Sequence, residues 1–415
     1  MSEWKEYRLG EIIDVRDGTH DSPKQSDIGK PLVTSKHIKG GKIDLSSAYL
    51  ISFDDFDKIN KRSKVDKWDV LFSMIGTIGE MVIIKEEPDF AIKNVGLFKA
   101  KDQFTSKWIY YYLKSPKAQS EILSSLKGST QQYISLTDLR NFPITYPPIK
   151  EGWDIIQILS SLDDKIELNN KINQDLESLA QTLFKQWFID FEFPNENGEP
   201  YKSSGGEMVE SELGEIPKGW EVVRLETHAK ISLGGTPSRN NGDYWNGNIP
   251  WVNSGAINEN YILKPIELIT QEGLDNSSTK LIPKHSTLIA ITGATLGQVS
   301  YSLIDACYNQ SVISLTPPDN TKEFIHLLVN TIIPELIKHQ TGGAQQHINK
   351  GNVETFKVLF PPENILNSFK EILTDLYLKI ECYIKENQQL TTLRDTLLPK
   401  LISGELEVSQ IQTTS

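Results

Sequence analysis

LDDKIELNNKINQDLESLAQTL, Leu162 to Leu183, decides the fold because the chain writes it twice. From Leu376 to Leu397 it reads LYLKIECYIKENQQLTTLRDTL, and eleven of the 22 aligned positions are identical. Chance composition would give roughly one or two. The matches include Leu162/Leu376, Ile166/Ile380, Asn173/Asn387, Leu176/Leu390 and Leu183/Leu397. The chain therefore carries an internal duplication, displaced by 214 residues from 162 to 376.

Both copies read as long helices. In the first, Leu159, Leu162, Ile166, Asn169, Asn173, Leu176, Ala180, Leu183 and Trp187 follow alternating steps of three and four. Leu366, Phe369, Leu373, Leu376, Ile380, Tyr383, Asn387, Leu390, Arg394 and Leu397 do the same in the second. That is the seam spacing of a coiled coil, and an Asn in the seam costs stability while fixing register. A single such helix would read as amphipathic, packed on its own domain. Two matching ones, each following a different domain, favour helix-on-helix pairing. Ile155, Ile172, Leu179, Phe184 and Phe188 lie off the seam, where apolar side chains mark a partner surface.

Outward from the helices, the chain reads as domain, helix, domain, helix. Residues 1–148 form a mixed α/β domain, with strands at Val70–Ile75 and Met81–Ile84 around the turn Gly76-Thr77-Ile78-Gly79, and a helix from Lys107 to Leu126. The first long helix occupies 149–191. Residues 192–217 are acidic and rich in Gly, Pro and Ser, which predicts a flexible linker with little to bury. Residues 218–362 repeat the first domain loosely, with Gly293-Ala-Thr-Leu-Gly297 for the turn and Lys322–Thr341 for the helix. GGAQQHINKGNVETFKVLFPP, Gly342 to Pro362, stands for GSTQQYISLTDLRNFPITYPP, Gly128 to Pro148. The second long helix takes 363–403 and a tail 404–415.

A chain of 415 residues exceeds what one core usually holds. No apolar run approaches the ~20 residues of a membrane span, and the charged start MSEWKEYRLG lacks a signal peptide's apolar stretch, so a cytoplasmic location is expected. The two cysteines, Cys307 and Cys382, make neither a disulfide framework nor a zinc spacing. Net charge is −12, but residues 151–219 hold 15 acidic against 5 basic residues and account for most of it. A near-neutral domain can still present one basic face.

Catalytic motifs are missing. There is no phosphate-binding G-x-x-x-x-G-K-[ST] loop, no H-E-x-x-H, no C-x-x-C and no G-x-S-x-G elbow. That favours a binding component without a metal. Residue types suited to DNA do occur. Lys36, Lys39, Lys42, Lys61, Arg62 and Lys64 suit phosphates, as solvated charges would also be placed. Gln131, Gln132, Gln345 and Gln346 carry amides that can pair with base edges or cap a turn. The loop Gly234–Asn241 offers Thr236, Ser238, Arg239 and Asn240. Trp245 and Trp251 read as core rather than as stacking platforms.

These residues resemble the specificity subunits of type I restriction–modification systems. The resemblance rests on DGTHDSPK and SMIGTIGEMVII in the first half, and on GGTPSRNNGDYWNGNIPWVNSGAI, Gly234 to Ile257, with GATLGQVSYS and ACYNQSVISL in the second. LDDKIELNNKINQDLESLAQTLFKQWFIDF resembles the family's central helical region, and LRDTLLPKLISGELEV its C-terminal one. The resemblance implies an α+β fold: two mixed α/β target-recognition domains in tandem, separated by two long helices paired as an antiparallel coiled coil. It adds Thr19, His20, Lys24, Asn253 and Ser254 to the DNA-contacting candidates. It implies double-stranded DNA, methyltransferase subunits and motor/nuclease subunits as partners, and places S-adenosylmethionine, ATP and Mg on those partners, with no cofactor on this chain. A self-contained methyltransferase or a non-DNA scaffold are the rival readings. The first would need a cofactor domain, for which no segment is left.

Overall fold

Ile149–Phe184 and Glu363–Ile402 are single helices of 36 and 40 residues in the computed structural model, which describes residues 4–338 and 347–409. The first continues through one wide turn, Lys185–Ile189. The chain forms two compact units, Met1–Glu167 with Gln388–Ser415, and Leu168–Asn387.

In the first unit Asp14–Asp17, Val95–Lys99, Val70–Ser73 and Met81–Ile83 lie side by side in that order, all antiparallel. A second sheet orders Leu50–Ile51, Lys30–Val33 and Ala91–Ile92, the last pair parallel. Lys5–Arg8 pairs with Pro143–Tyr146. The second unit repeats each pairing with the same sense. Lys230–Leu233, Val312–Thr316, Thr287–Ala290 and Val299–Ser302 form the antiparallel sheet, extended by Tyr261–Ile262. Glu267–Ile269, Trp245–Val252 and Cys307–Tyr308 form the mixed one, and Glu221–Arg224 pairs with Lys357–Phe360. The duplication in sequence is a duplication of topology.

The glycine turns do what their residue type permits. Gly76 and Gly79 sit at φ +79° and +92°, where a side chain would be strained, and close the hairpin between 70–73 and 81–83. The helix expected over Lys107–Leu126 is two, Gln103–Lys114 and Pro116–Ser124. Pro116 cannot continue the first, and Ser115 starts the second by accepting the N–H of Ala118. The counterpart runs Lys322–Lys338; its expected end at Thr341 lies outside the described residues.

Residues 192–217 are not an unpacked linker. Met208–Ser211 and Gly214–Pro217 make a hairpin, and Phe193 and Ile216 are buried against Trp220 and the rest of the second core. Composition misled because four side chains, Phe193, Tyr201, Met208 and Ile216, suffice to anchor a polar stretch.

The seam residues differ in burial. Asn173 and Ile380 are buried, and Leu162, Ile166, Leu176, Leu183, Leu376, Asn387, Leu390 and Leu397 are half-buried. Within the second unit contact runs antiparallel: Asn169 meets Glu386 and Asn387, while Trp187 and Phe188 stack on Phe369 at 5.2 and 4.6 Å. Within the first, Arg394 meets Asp163 at 2.6 Å, and Ile155, Ile156 and Leu159 share a core with Leu398, Leu401 and Ile402. Three of the off-seam residues face inward rather than toward a partner. Ile155, Phe184 and Phe188 are core residues of the units, because each helix end is enclosed by its own domain. Leu179 is 45% exposed, as are Leu168 (51%) and Leu378 (58%).

His326 lies in the second core between Tyr301 and Tyr377, its Nε2 facing Asn330 Nδ2 at 3.2 Å. Burial pushes its pKa down to about 3. Stability gained by burying it neutral is complete above its unfolded pKa near 6.5. It is lost as pH falls from about 6.5 toward 3, by up to about 1.4 kcal/mol per pH unit. His326→Leu should abolish that slope. Denaturant unfolding at about pH 7.5 and about pH 5 should show the variant gaining on the parent as pH falls.

Candidate nucleic-acid interface

Asn94, at φ +53°, organises the first unit's polar loops. Its backbone N–H donates to Thr19 O at 3.2 Å, its carbonyl accepts from Ser35 Oγ at 3.3 Å, and its side-chain oxygen faces His20 Nδ1 at 2.9 Å. His20 Nε2 meets Asp17 Oδ2 at 2.9 Å, and Arg62 Nη2 donates to the other oxygen of Asp17. Asp17 is buried, whereas the side chains of His20 and Arg62 are 66% and 62% exposed. Gly18 is required here, since a Cβ would stand 2.5 Å from Ile92 O. Loop 17–24 and Ser35 thus converge on residues 92–94, and the helix end joins them through Arg62 and Asp17.

The expected residues on these pieces face solvent. Lys36, Lys39 and Lys42 lie on one short segment whose strands, Ile38–Lys39 and Lys42–Ile43, are joined by Gly40 and Gly41 at positive φ. Those three, with Lys24 and Lys61, are exposed and without an acidic partner among the described residues. Lys64 pairs with Asp66 at 3.1 Å, and Thr19 is half-buried. Gln131 and Gln132 sit at the exposed tip of a loop closed by reciprocal Lys127–Tyr133 backbone bonds. Their side chains cap nothing among the described residues.

The second unit builds the corresponding loop on the corresponding segment. Gly234 and Gly235 press against 308–312, donating to Val312 O and Tyr308 O, and Thr236 donates to Gln310 Oε1 at 2.6 Å. Ser238, Arg239 and Asn240 are exposed. Arg239 lies on the face of Trp245, its guanidinium carbon 3.6 Å from the ring centroid, and grips Glu267 through two bonds of 2.7 and 2.6 Å. The pairing holds the Glu267 carboxyl below its ordinary range and Arg239 above its own. Trp251 is core as expected, while half-buried Trp245 serves as a platform for Arg239. Asn253 spends its side-chain oxygen on the N–H of Gly255, and Ser254 beside it is half-buried. Gln345 and Gln346 lie outside the described residues.

Asp17, Asn94 and Glu267 escaped the sequence reading. A lone acid or amide carries no motif, and an acid argues superficially against DNA. The one available signal was position: Asp17 immediately precedes the Gly-Thr of the first loop. Among the described residues no cluster of three or more His, Cys, Asp or Glu could hold a metal ion, and no helix is long and apolar enough to cross a membrane.

Two loops of one design on two repeats is the arrangement that family comparison explains. The model of the type I restriction modification DNA specificity domain matches residues 1–178 and again 217–392. The chain belongs to the type I restriction–modification specificity subunits. The MjaIX specificity subunit of Methanocaldococcus jannaschii is 30% identical over 75% of this chain and 71% of its own length. The HindI specificity subunit of Haemophilus influenzae is 24% identical over 98% and 100%. The crystal structure of an S subunit from M. genitalium shares the fold, with a TM-score of 0.56 at 17% identity over 96% of each chain. This specificity subunit is the non-catalytic, DNA-recognising component of such a system, and its two matched segments serve a bipartite target.

Arg62 should matter more to the first loop than its exposure suggests. Arg62→Ala leaves the buried Asp17 carboxylate with His20 alone and should cost the first unit roughly 2–3 kcal/mol. Asp17→Ala returns the exposed Arg62 and His20 side chains to water, and His20→Ala leaves Asp17 paired with Arg62, so each should cost less, about 1 kcal/mol. Denaturant titration of the three variants against the parent checks the order.

Proposed function

We propose that each unit reads one half-site through the loops gathered on residues 92–94 and 308–312. The long helices, paired as an antiparallel coiled coil, set the gap between half-sites and carry methyltransferase subunits, to which motor/nuclease subunits add. S-adenosylmethionine, ATP and Mg belong to those partners, and the complex works in the cytoplasm. The observation that carries this reading is the repetition of one topology in which a shared Gly-Thr is followed by different side chains on the equivalent loops: His20 and Lys24 in one unit, Ser238 and Arg239 in the other. A shared scaffold with divergent polar loops suits two readers of different sequence. The exposed leucines of the helices suit an apolar protein partner.

Exchange of residues 220–362 for the second domain of another specificity subunit tests this. Sequences selected from a random duplex pool by the complex with its methyltransferase partner should change in one half-site only. A simultaneous change in both would sink the modular reading.

The helices as ruler predict a second outcome. Four residues inserted after Gln174 lengthen the first helix by roughly 6 Å. The preferred gap should grow by about one or two base pairs at ~3.4 Å each, with both half-sites unaltered. A folded, partner-bound variant that keeps the original gap would exclude the helices as the ruler.

A further inference from the structure

We infer that Arg239 and Glu267 together read one G·C base pair in the half-site of the second unit, with Arg239 on guanine and Glu267 on cytosine. This rests on the proposed role of that unit's loops and assigns one of them a base.

The pair is more organised than the fold requires. Its loop is already anchored without it: a Cβ on Gly234 would stand 2.1 Å from Asn309 O, so backbone meets backbone there. Trp245 Nε1 and Trp251 Nε1 donate to Ser238 O and Gly235 O at 3.1 and 3.2 Å. The two indoles brace each other edge-to-face at 5.3 Å. A half-exposed ion pair adds little to stability, yet Arg239 is held by both the Trp245 face and a two-pronged carboxylate. The side chains remain 52% and 38% exposed. The arrangement holds a long side chain still while leaving it accessible, which lowers the ordering cost of binding.

Its remaining hydrogen-bonding capacity matches one base pair. Glu267 takes one N–H from each terminal nitrogen of Arg239. The outer N–H groups, including Nε–H, have no other partner among the described residues, and they can donate to guanine O6 and N7. The carboxylate keeps free lone pairs that can accept from cytosine N4–H across the same pair. An isolated carboxylate would repel the phosphates. Beside Arg239 its charge is neutralised, so it can approach DNA. Adenine offers N7 and N6–H to such a pair but only one acceptor to the guanidinium, which makes G·C the better complement.

Duplexes selected from a random-sequence pool by the full chain assembled with its methyltransferase partner test the assignment. Thermal melting verifies that each variant is folded. The parent should select an invariant G·C pair in the half-site that follows residues 220–362. Arg239→Lys, which keeps the charge but loses the fork, should relax preference at that pair by roughly tenfold and leave every other position unchanged. Glu267→Gln should relax it less, by admitting a base that presents an acceptor opposite the amide. Uniform weakening on all sequences, an unchanged preference, or an A·T pair as the responsive position overturns the inference. A parent complex that selects no sequence at all overturns the recognition role of the loops as well, so the two failures are distinguishable.

Discussion

A buried amide joins the two long helices within the second unit. Asn169, fully buried, donates to Glu386 at 2.8 Å and to Asn387 at 2.9 Å, and Asn387 donates in turn to Asn170 at 2.8 Å. A slip by one helical turn would take the Nδ2 of buried Asn169 out of reach of both acceptors, at a cost of about 1–3 kcal/mol. In the first unit Asp163 has the same role, accepting from Arg394 at 2.6 Å and from Tyr111 at 2.9 Å. Polar contacts are weak contributors to net stability but strong discriminators among alignments.

Each helix also closes the core of the domains it serves. Phe184, Trp187 and Phe188 lie among Phe324, Phe369 and Trp220 in the second core, and Ile155, Ile156 and Leu159 lie among Trp108 and Leu401 in the first. The long helices are thus part of both hydrophobic cores rather than a rod attached to finished domains. That is why truncating apolar residues near the helix ends acts on domain stability, whereas the mid-helix leucines that stay exposed remain available to a partner.

Duplication explains how one chain serves a bipartite target. The repeated framework, antiparallel sheet, mixed sheet and closing strand pair, is a stable solution used twice. The loops mounted at its edge are anchored chiefly through their glycines, and their exposed tips could diverge. In both repeats the anchor is backbone: Gly18 on Ile92, and Gly234 and Gly235 on residues 308–312 and 278. Side chains at the tips are thereby free to differ, and Asp17 with His20 and Arg62 in one repeat is replaced by Glu267 with Arg239 in the other.

Periodicity and repetition in the sequence determined the two long helices, the repeated domains and the hairpin glycines, because these are local patterns that burial enforces wherever they occur. The family motifs carried the functional class. Tertiary structure alone decided which groups meet. Asp17 and Asn94 lie 77 residues apart in sequence yet act on one histidine, and Glu267 reaches Arg239 across a strand pairing that no spacing encodes. It also decided that Phe193 and Ile216 fold an acidic stretch onto the second core, and that Ile155, Phe184 and Phe188 face inward. Burial of a side chain off a helical seam depends on what another element brings against it. The helix's own period cannot carry that information.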